Sequence, residues 1–128
     1  MKKNYLSWGK YPNKKQKPTY IYWPEDVKLS LNSVIKNNDT TLPFGLGRSY
    51  GDSCLAKSNN ILNMHLMDRM ISFDVKKGII IAQSGISIEQ ISKISIPHGW
   101  FVPVSPGTKY VTLGGAIAND VHGKNHHR

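Results

Sequence analysis

The stretch Pro103–His127, PVSPGTKYVTLGGAIANDVHGKNHH, limits what this chain can become, because proline and glycine break it too often for one long helix or strand. Pro106-Gly107-Thr108 predicts a turn whose glycine takes positive φ without steric cost. Thr112 stands where a hydroxyl caps a helix, ahead of Gly114-Gly115 and the apolar run Ala116-Ile117-Ala118. Bare backbone amides at a helix start attract anions, and adjacent glycines let a ligand come close. The stretch closes on His122-Gly123-Lys124-Asn125-His126-His127, groups that titrate, donate protons or carry positive charge. Together these features predict a phosphate-contacting turn that runs directly into reactive polar residues.

What precedes it alternates short strand and helix signals. Thr19–Trp23 has strand composition and stops at Pro24. Pro24-Glu25-Asp26 opens a helix with proline and acids in its first turn, and Val27, Leu31, Val34 and Ile35 give it one apolar face before Asn37-Asn38 close it. Thr41–Phe44 is a short strand leading into Gly45-Leu46-Gly47-Arg48-Ser49-Tyr50-Gly51-Asp52. Three glycines beside Ser49 and Arg48 suit a pyrophosphate, which amides, a hydroxyl and a guanidinium can wrap. This loop is neither a Walker A sequence nor a GxGxxG fingerprint, so a Rossmann domain is excluded.

Ile61–Met64 is a third strand. Met70–Val75 alternates, with Ile71, Phe73 and Val75 on one face, and turns at Lys76-Lys77-Gly78 into Ile79–Ala82, which is apolar enough for a buried core strand. Ser87-Ile88-Glu89-Gln90 has the capping-box pattern and starts a helix with Ile88, Ile91 and Ile94 inward, stopped by Pro97 and Gly99. Trp100–Val104 is a last short strand. The order is β-α-β, then β-β-α-β and a helix start, an α+β arrangement.

At 128 residues the chain holds one small domain or part of a larger one, and its 39% hydrophobic content is too high for a disordered chain. Seventeen Lys and Arg against eight Asp and Glu give +9, which suits nucleic acid, anionic lipid or an anionic ligand. Six lysines precede Thr19 and read as a solvated, mobile tail, although Tyr5, Trp8 and Tyr11 offer contacts for a body elsewhere. Cys54 is the only cysteine, so it forms no internal disulfide. No apolar run after Lys2-Lys3 resembles a signal peptide and none reaches membrane-spanning length. The expected location is cytoplasmic, with peripheral membrane contact left open.

His122 and His126 are four apart, a metal-like spacing on a helix, but Gly123 and Asn125 disfavour the helix and no carboxylate completes a set; no metal is expected. Nothing beside Cys54 marks a reactive thiolate. A basic nucleic-acid-binding module is the alternative of another class; against it, the sequence holds no recognition helix and no aromatic-basic strand motif.

The motifs GLGRSYGD at 45–52 and PGTKYVTLGGAIANDVHGKNHH at 106–127, with their spacing, resemble the FAD-binding domain of the vanillyl-alcohol-oxidase and p-cresol-methylhydroxylase (PCMH) flavoproteins. Within that family they are most similar to oxidases of the decaprenylphosphoryl-ribose and aldonolactone types. The resemblance runs from about Trp8 to the last residue and implies the N-terminal part of a PCMH-type domain: a first FAD-binding subdomain over 19–64 and the start of a second over 65–128, after the basic extension over 1–18 that the composition marks. It implies diphosphate contacts from Gly45, Leu46, Gly47, Arg48, Ser49, Tyr50, Gly51 and Asp52. Further flavin contacts come from Pro106, Gly107, Thr108, Val111, Thr112, Gly114, Gly115, Ala118, Asn119 and Val121. His122, Gly123, Lys124 and Asn125 match the segment beside the isoalloxazine ring, with His122 and Lys124 as the catalytic pair.

The implied function is oxidation of a sugar, sugar-lactone or polyprenyl-phosphosugar alcohol by hydride transfer to FAD. Where many lactone and alditol oxidases carry Gly-His-Ser with a flavin-linked histidine, this chain has Arg48, so the FAD is expected to be non-covalent. Family members continue beyond the HGKNHH motif. The chain is therefore expected to be a fragment inactive alone, or a non-catalytic FAD-binding half completed by a second polypeptide.

Overall fold

The structure, a computed structural model, describes residues 5–123. The chain divides into two compact units, Met1–Met67 and Asp68–Arg128. The first is built on three parallel strands, β1 (Lys17–Tyr20), β2 (Leu42–Phe44) and β3 (Asn60–Asn63), in the order β1-β3-β2. Parallel neighbours need a crossover, and helix α1 (Pro24–Lys36) leads from β1 towards β2. In the central strand, Lys17 pairs with Asn60 and Tyr20 with Asn63 on one side, while Leu42 pairs with Ile61 and Phe44 with Asn63 on the other.

Ile61 and Leu62 are adjacent, so their side chains leave opposite faces of β3. Ile61 packs with Tyr5, Phe44 and Ala56; Leu62 packs with Ile21 and Met67. The strand is buried on both faces, as parallel sheets usually are. Met67 is buried in the second cluster, so residues 65–67 belong to this compact unit.

Helix α1 starts where proline and acids predicted: Pro24 is its first residue, and Asp26 Oδ2 accepts the amides of Tyr22 and Trp23, both at 2.9 Å. Its inward face differs from the sequence pattern. Val27 and Val34 are half-buried, whereas Leu31 and Ile35 are exposed.

Residues 5–18, expected as a mobile tail, lie on the first unit. Lys14 Nζ donates to the carbonyls of Ala56 (3.0 Å) and Lys57 (2.6 Å), and Gln16 Oε1 accepts the Ala56 amide at 2.8 Å. Lys17 and Pro18 are already strand, two residues ahead of the expected start.

The second unit holds a hairpin, β4 (Met70–Asp74) and β5 (Ile79–Ala82), and the helices α2 (Ile88–Ser95) and α3 (Leu113–Ala118). The hairpin turns at the three residues the sequence marked, and Phe73 sits opposite Ile80 on the covered face. A shift in register between Met70 and Ser72 leaves Ile71 exposed. The expectation that Ile79–Ile81 is core is corrected: Ile79 and Ile81, opposite Asp74 and Ser72, are 53% and 55% exposed. Strand alternation sends Ile80 inward and both neighbours outward.

Ser87 caps α2 in the predicted box. Its Oγ accepts the Gln90 amide at 3.1 Å, and Gln90 Oε1 accepts the Ser87 amide at 2.8 Å. Ile86, Ile88 and Ile91 form the core of this unit, with Ile80, Ala82, Val102, Val111 and Leu113 packed around them. Trp100–Val104 forms no strand; Trp100 instead donates from Nε1 to the Val75 carbonyl at 2.8 Å and lies against Gly78.

Candidate functional site

The first expected flavin loop, Gly45–Asp52, leaves the C-terminal end of β2 in the first unit. The ends of parallel strands are where open α/β sheets bind ligands. Gly47 has φ +63°, and a Cβ there would stand 2.4 Å from the Leu6 carbonyl oxygen and 2.9 Å from the Phe44 ring. Only glycine fits that backbone and that gap. Among the described residues, no hydrogen bond satisfies the amides of Leu46, Gly47, Ser49, Tyr50 or Gly51. Backbone donors collected on one turn form an anion-binding concavity.

A second segment holds this loop, and glycine motifs gave no sign of it. The Tyr5 ring meets Phe44 edge-on at 5.5 Å, the Leu6 carbonyl closes on Gly47, and the Trp8 amide donates to the Ser49 carbonyl at 2.9 Å. Gly9 lies against the Tyr50 carbonyl. The Arg48 guanidinium stands 5.1 Å from the centre of the Trp8 ring. The Ser7 hydroxyl is buried in this segment with no partner among the described residues. Tyr5, Leu6, Trp8 and Gly9 therefore shape the loop. Their only mark in the sequence was an aromatic pair in a lysine-rich stretch.

Tyr5 is itself buried. Its hydroxyl donates to Tyr20 and accepts from Asn63 Nδ2, each at 3.3 Å. Burial, then the Tyr20 hydroxyl, push its pKa up to about 12. Cys54 is half-buried beside this cluster, and burial raises its thiol above the ordinary value despite the Ser49 hydroxyl beside it. A raised thiol is a poor nucleophile at neutral pH.

The other stretch belongs to the second unit. Thr112 caps α3 as predicted, its Oγ1 accepting the Gly115 amide at 3.1 Å. The expectation of bare amides at this helix start is corrected. Leu113 donates to the Ile86 carbonyl at 2.7 Å, Gly114 to the Ser84 carbonyl at 2.8 Å, and Ala116 to the Thr112 carbonyl at 2.9 Å. A Cβ on Gly114 would lie 2.8 Å from the Ser84 Cβ, so this glycine serves the approach of α3 to the loop before α2.

The turn at Pro106–Thr108 is open around Gly107, which does not use positive φ, and Thr108 Oγ1 accepts the Tyr110 amide at 3.2 Å. Glu89 faces two ammonium groups, Lys109 at 3.3 Å and Lys93 at 3.4 Å. Burial alone would raise its carboxyl, but these partners outweigh burial and lower it. A groove of about 380 Å³ lies between α2 and residues 101–109, with Ile88, Ile96 and Phe101 in its lining and Pro106 at its edge.

Beyond α3, Asn119 Nδ2 donates to the Gly115 carbonyl at 2.7 Å, and the Val121 amide to the Ala116 carbonyl at 3.0 Å. Ala118 and His122 are exposed; Val121 and Gly123 are partly covered. Lys124 and Asn125, expected beside the flavin ring, lie outside the described residues, as does His126. No group of three or more His, Cys, Asp or Glu side chains among the described residues is placed to hold a metal ion. No helix among them is long and apolar enough to cross a membrane.

A parallel α/β unit with an amide-lined glycine loop at its strand ends, followed by an α+β unit with a second glycine turn, defines a domain of the nucleotide-cofactor-binding class. The chain belongs to the FAD binding domain family, whose pattern residues 23–128 match. Over 83 residues it is 46% identical to the decaprenylphosphoryl-beta-D-ribose oxidase of Mycolicibacterium smegmatis, covering 65% of this chain and 18% of that protein. Over 43 residues it is 51% identical to an uncharacterised protein of Streptomyces coelicolor, covering 34% of this chain and 12% of that protein.

Among solved structures, the cholesterol oxidase from B. sterolicum superposes with a TM-score of 0.79 at 21% identity, over 93% of this chain and 24% of that one. An alkyldihydroxyacetonephosphate synthase superposes at 0.73 and 21%, over 85% and 22%. The mixed α+β fold is that of the FAD-binding domain of PCMH-type enzymes, and FAD is the cofactor of the family. The chain spans less than a quarter of the length of each of these relatives.

Proposed function

We propose that the chain is the FAD-binding portion of a flavin-dependent oxidoreductase that oxidises the alcohol carbon of a sugar, a sugar lactone or a polyprenyl-phosphosugar. The observation that carries the cofactor assignment is the set of amides of Leu46, Gly47, Ser49, Tyr50 and Gly51, uncommitted among the described residues, on the loop that also carries the Arg48 guanidinium. That donor set fits a diphosphate: several N–H groups on one turn, one cation, and a glycine cradle that a Cβ would fill. Identity with the decaprenylphosphoryl-beta-D-ribose oxidase supports the substrate class.

FAD, when bound, supplies a hydride acceptor at the ring. The chain's own residues bind and orient it. Leu46, Gly47, Arg48, Ser49, Tyr50 and Gly51 would hold the diphosphate; Pro106–Thr108 and Thr112–Val121 are the residues that the family resemblance assigns to further flavin contacts. By the family resemblance, His122 and Lys124 would between them take the proton of the substrate hydroxyl and stabilise negative charge. Attachment is non-covalent: Arg48 stands where related oxidases carry the linking histidine, and the Cys54 thiol is raised by burial.

A non-catalytic FAD-binding half, completed by a second polypeptide, is the alternative. The exposed Ile79 and Ile81 would give such a partner apolar surface.

Titrating the 128-residue protein with FAD tests the assignment through flavin fluorescence and visible absorption. Saturable quenching with a shifted absorption band is expected, and acid precipitation should leave the flavin in the supernatant. Unchanged spectra refute the cofactor assignment for the chain alone. Flavin carried down with the precipitate refutes non-covalent attachment.

A further inference from the structure

We propose that Trp8 positions the Arg48 guanidinium for the cofactor's diphosphate, an inference that rests on the cofactor assignment above. Trp8 belongs to none of the glycine motifs. Its backbone is nevertheless fixed to the loop, with its amide on the Ser49 carbonyl at 2.9 Å. The neighbours on either side are fixed as well, Leu6 against Gly47 and Gly9 against Tyr50. The indole thus travels with the loop.

Trp8 is 58% exposed, an unfavourable setting for so large an apolar ring unless its face is used. Arg48 lies over that face at 5.1 Å, within cation–π range. A guanidinium on a long side chain loses much rotamer freedom when it grips an anion. Resting it on a ring that is pinned to the same loop reduces that loss at the moment of binding. Trp8 is a positioning residue; it touches no reacting atom.

Binding of FAD and of riboflavin, which lacks phosphate, to the 128-residue protein tests this by calorimetry. Trp8→Ala should weaken FAD about two- to fivefold, the scale of an exposed cation–π contact, and leave riboflavin unchanged. Trp8→Phe, which keeps a ring face, should recover most of the FAD affinity. In an Arg48→Ala background, Trp8→Ala should cost nothing further, because the two losses are one interaction.

Trp8→Leu keeps bulk without a ring face and should match Trp8→Ala, which carries the comparison if the alanine variant melts early. Equal losses for FAD and riboflavin, or an undiminished Trp8→Ala effect without Arg48, overturn the proposal and leave the cofactor assignment standing. A wild-type protein that binds no FAD overturns both.

Discussion

Gly47→Ala is the sharpest test of how the first loop is built. The native φ of +63° places any other residue in the left-handed region, at roughly 1–2 kcal/mol. The new methyl would also stand 2.4 Å from the Leu6 carbonyl oxygen and 2.9 Å from the Phe44 ring. Neither neighbour can yield: Leu6 is held between buried Tyr5 and Ser7, and Phe44 is core. Overpacking of this kind costs about 1–3 kcal/mol. The sum is about 2–5 kcal/mol. For a unit of this size each kcal/mol lowers Tm by about 4–8 °C, so a drop of at least ~8 °C is expected by circular dichroism.

Gly51→Ala is the internal control. A Cβ there meets nothing within 4 Å and its φ is ordinary, so Tm should move by less than the equivalent of about 0.5 kcal/mol. A Gly47→Ala protein that melts with wild type would refute the packing of Leu6 on this loop, and with it the placement of the segment that carries Trp8.

Three further outcomes follow from the same contacts. Thr112→Ala removes the acceptor for the Gly115 amide and should destabilise the second unit by about 1 kcal/mol in urea denaturation, with Thr112→Ser restoring most of it. The Glu89 carboxyl is lowered by Lys109 and Lys93, so its stabilisation is full above the ordinary carboxylate pKa and is lost as pH falls through the lowered value. The stability gap between wild type and Glu89→Gln should therefore close in acid and shrink in high salt; a gap constant with pH would contradict this. Tyr5 is raised to about 12, so its contribution is complete below the unfolded value of roughly 10 and disappears as pH climbs towards 12. Tyr5→Phe should flatten the alkaline fall in stability, and ultraviolet titration of wild type should show one tyrosine ionising late.

Local signals were legible in the sequence. The Ser87–Gln90 box, the Thr112 cap, the turn at Lys76–Gly78 and the Pro24 helix start each depend on residues within four positions, where side chain and backbone meet whatever the rest of the chain does. Contacts between distant residues were not. Tyr5 bonds to Asn63 across 58 positions, and no periodicity announces it. The same limit hid the closure of the α3 amides: Ile86 and Ser84 supply the carbonyls, and neither is near Leu113 in sequence.

Apolar runs showed that Ile79–Ile81 is strand but not which members turn inward, because strand geometry sends two of the three to one side whichever register is adopted. At the candidate site, glycine spacing marked both loops. It could not show that the Leu46, Gly47, Ser49, Tyr50 and Gly51 amides stay unpaired among the described residues while those of Leu113, Gly114 and Gly115 are spent within the second unit.

The claim that the Leu46–Gly51 amides grip a diphosphate is tested most directly by amide proton and nitrogen chemical shifts during titration with FAD, ADP and riboflavin. FAD and ADP should both move the signals of Leu46, Gly47, Ser49, Tyr50 and Gly51, with riboflavin leaving them in place. Bound FAD that leaves these five signals where they were in the free protein would contradict it.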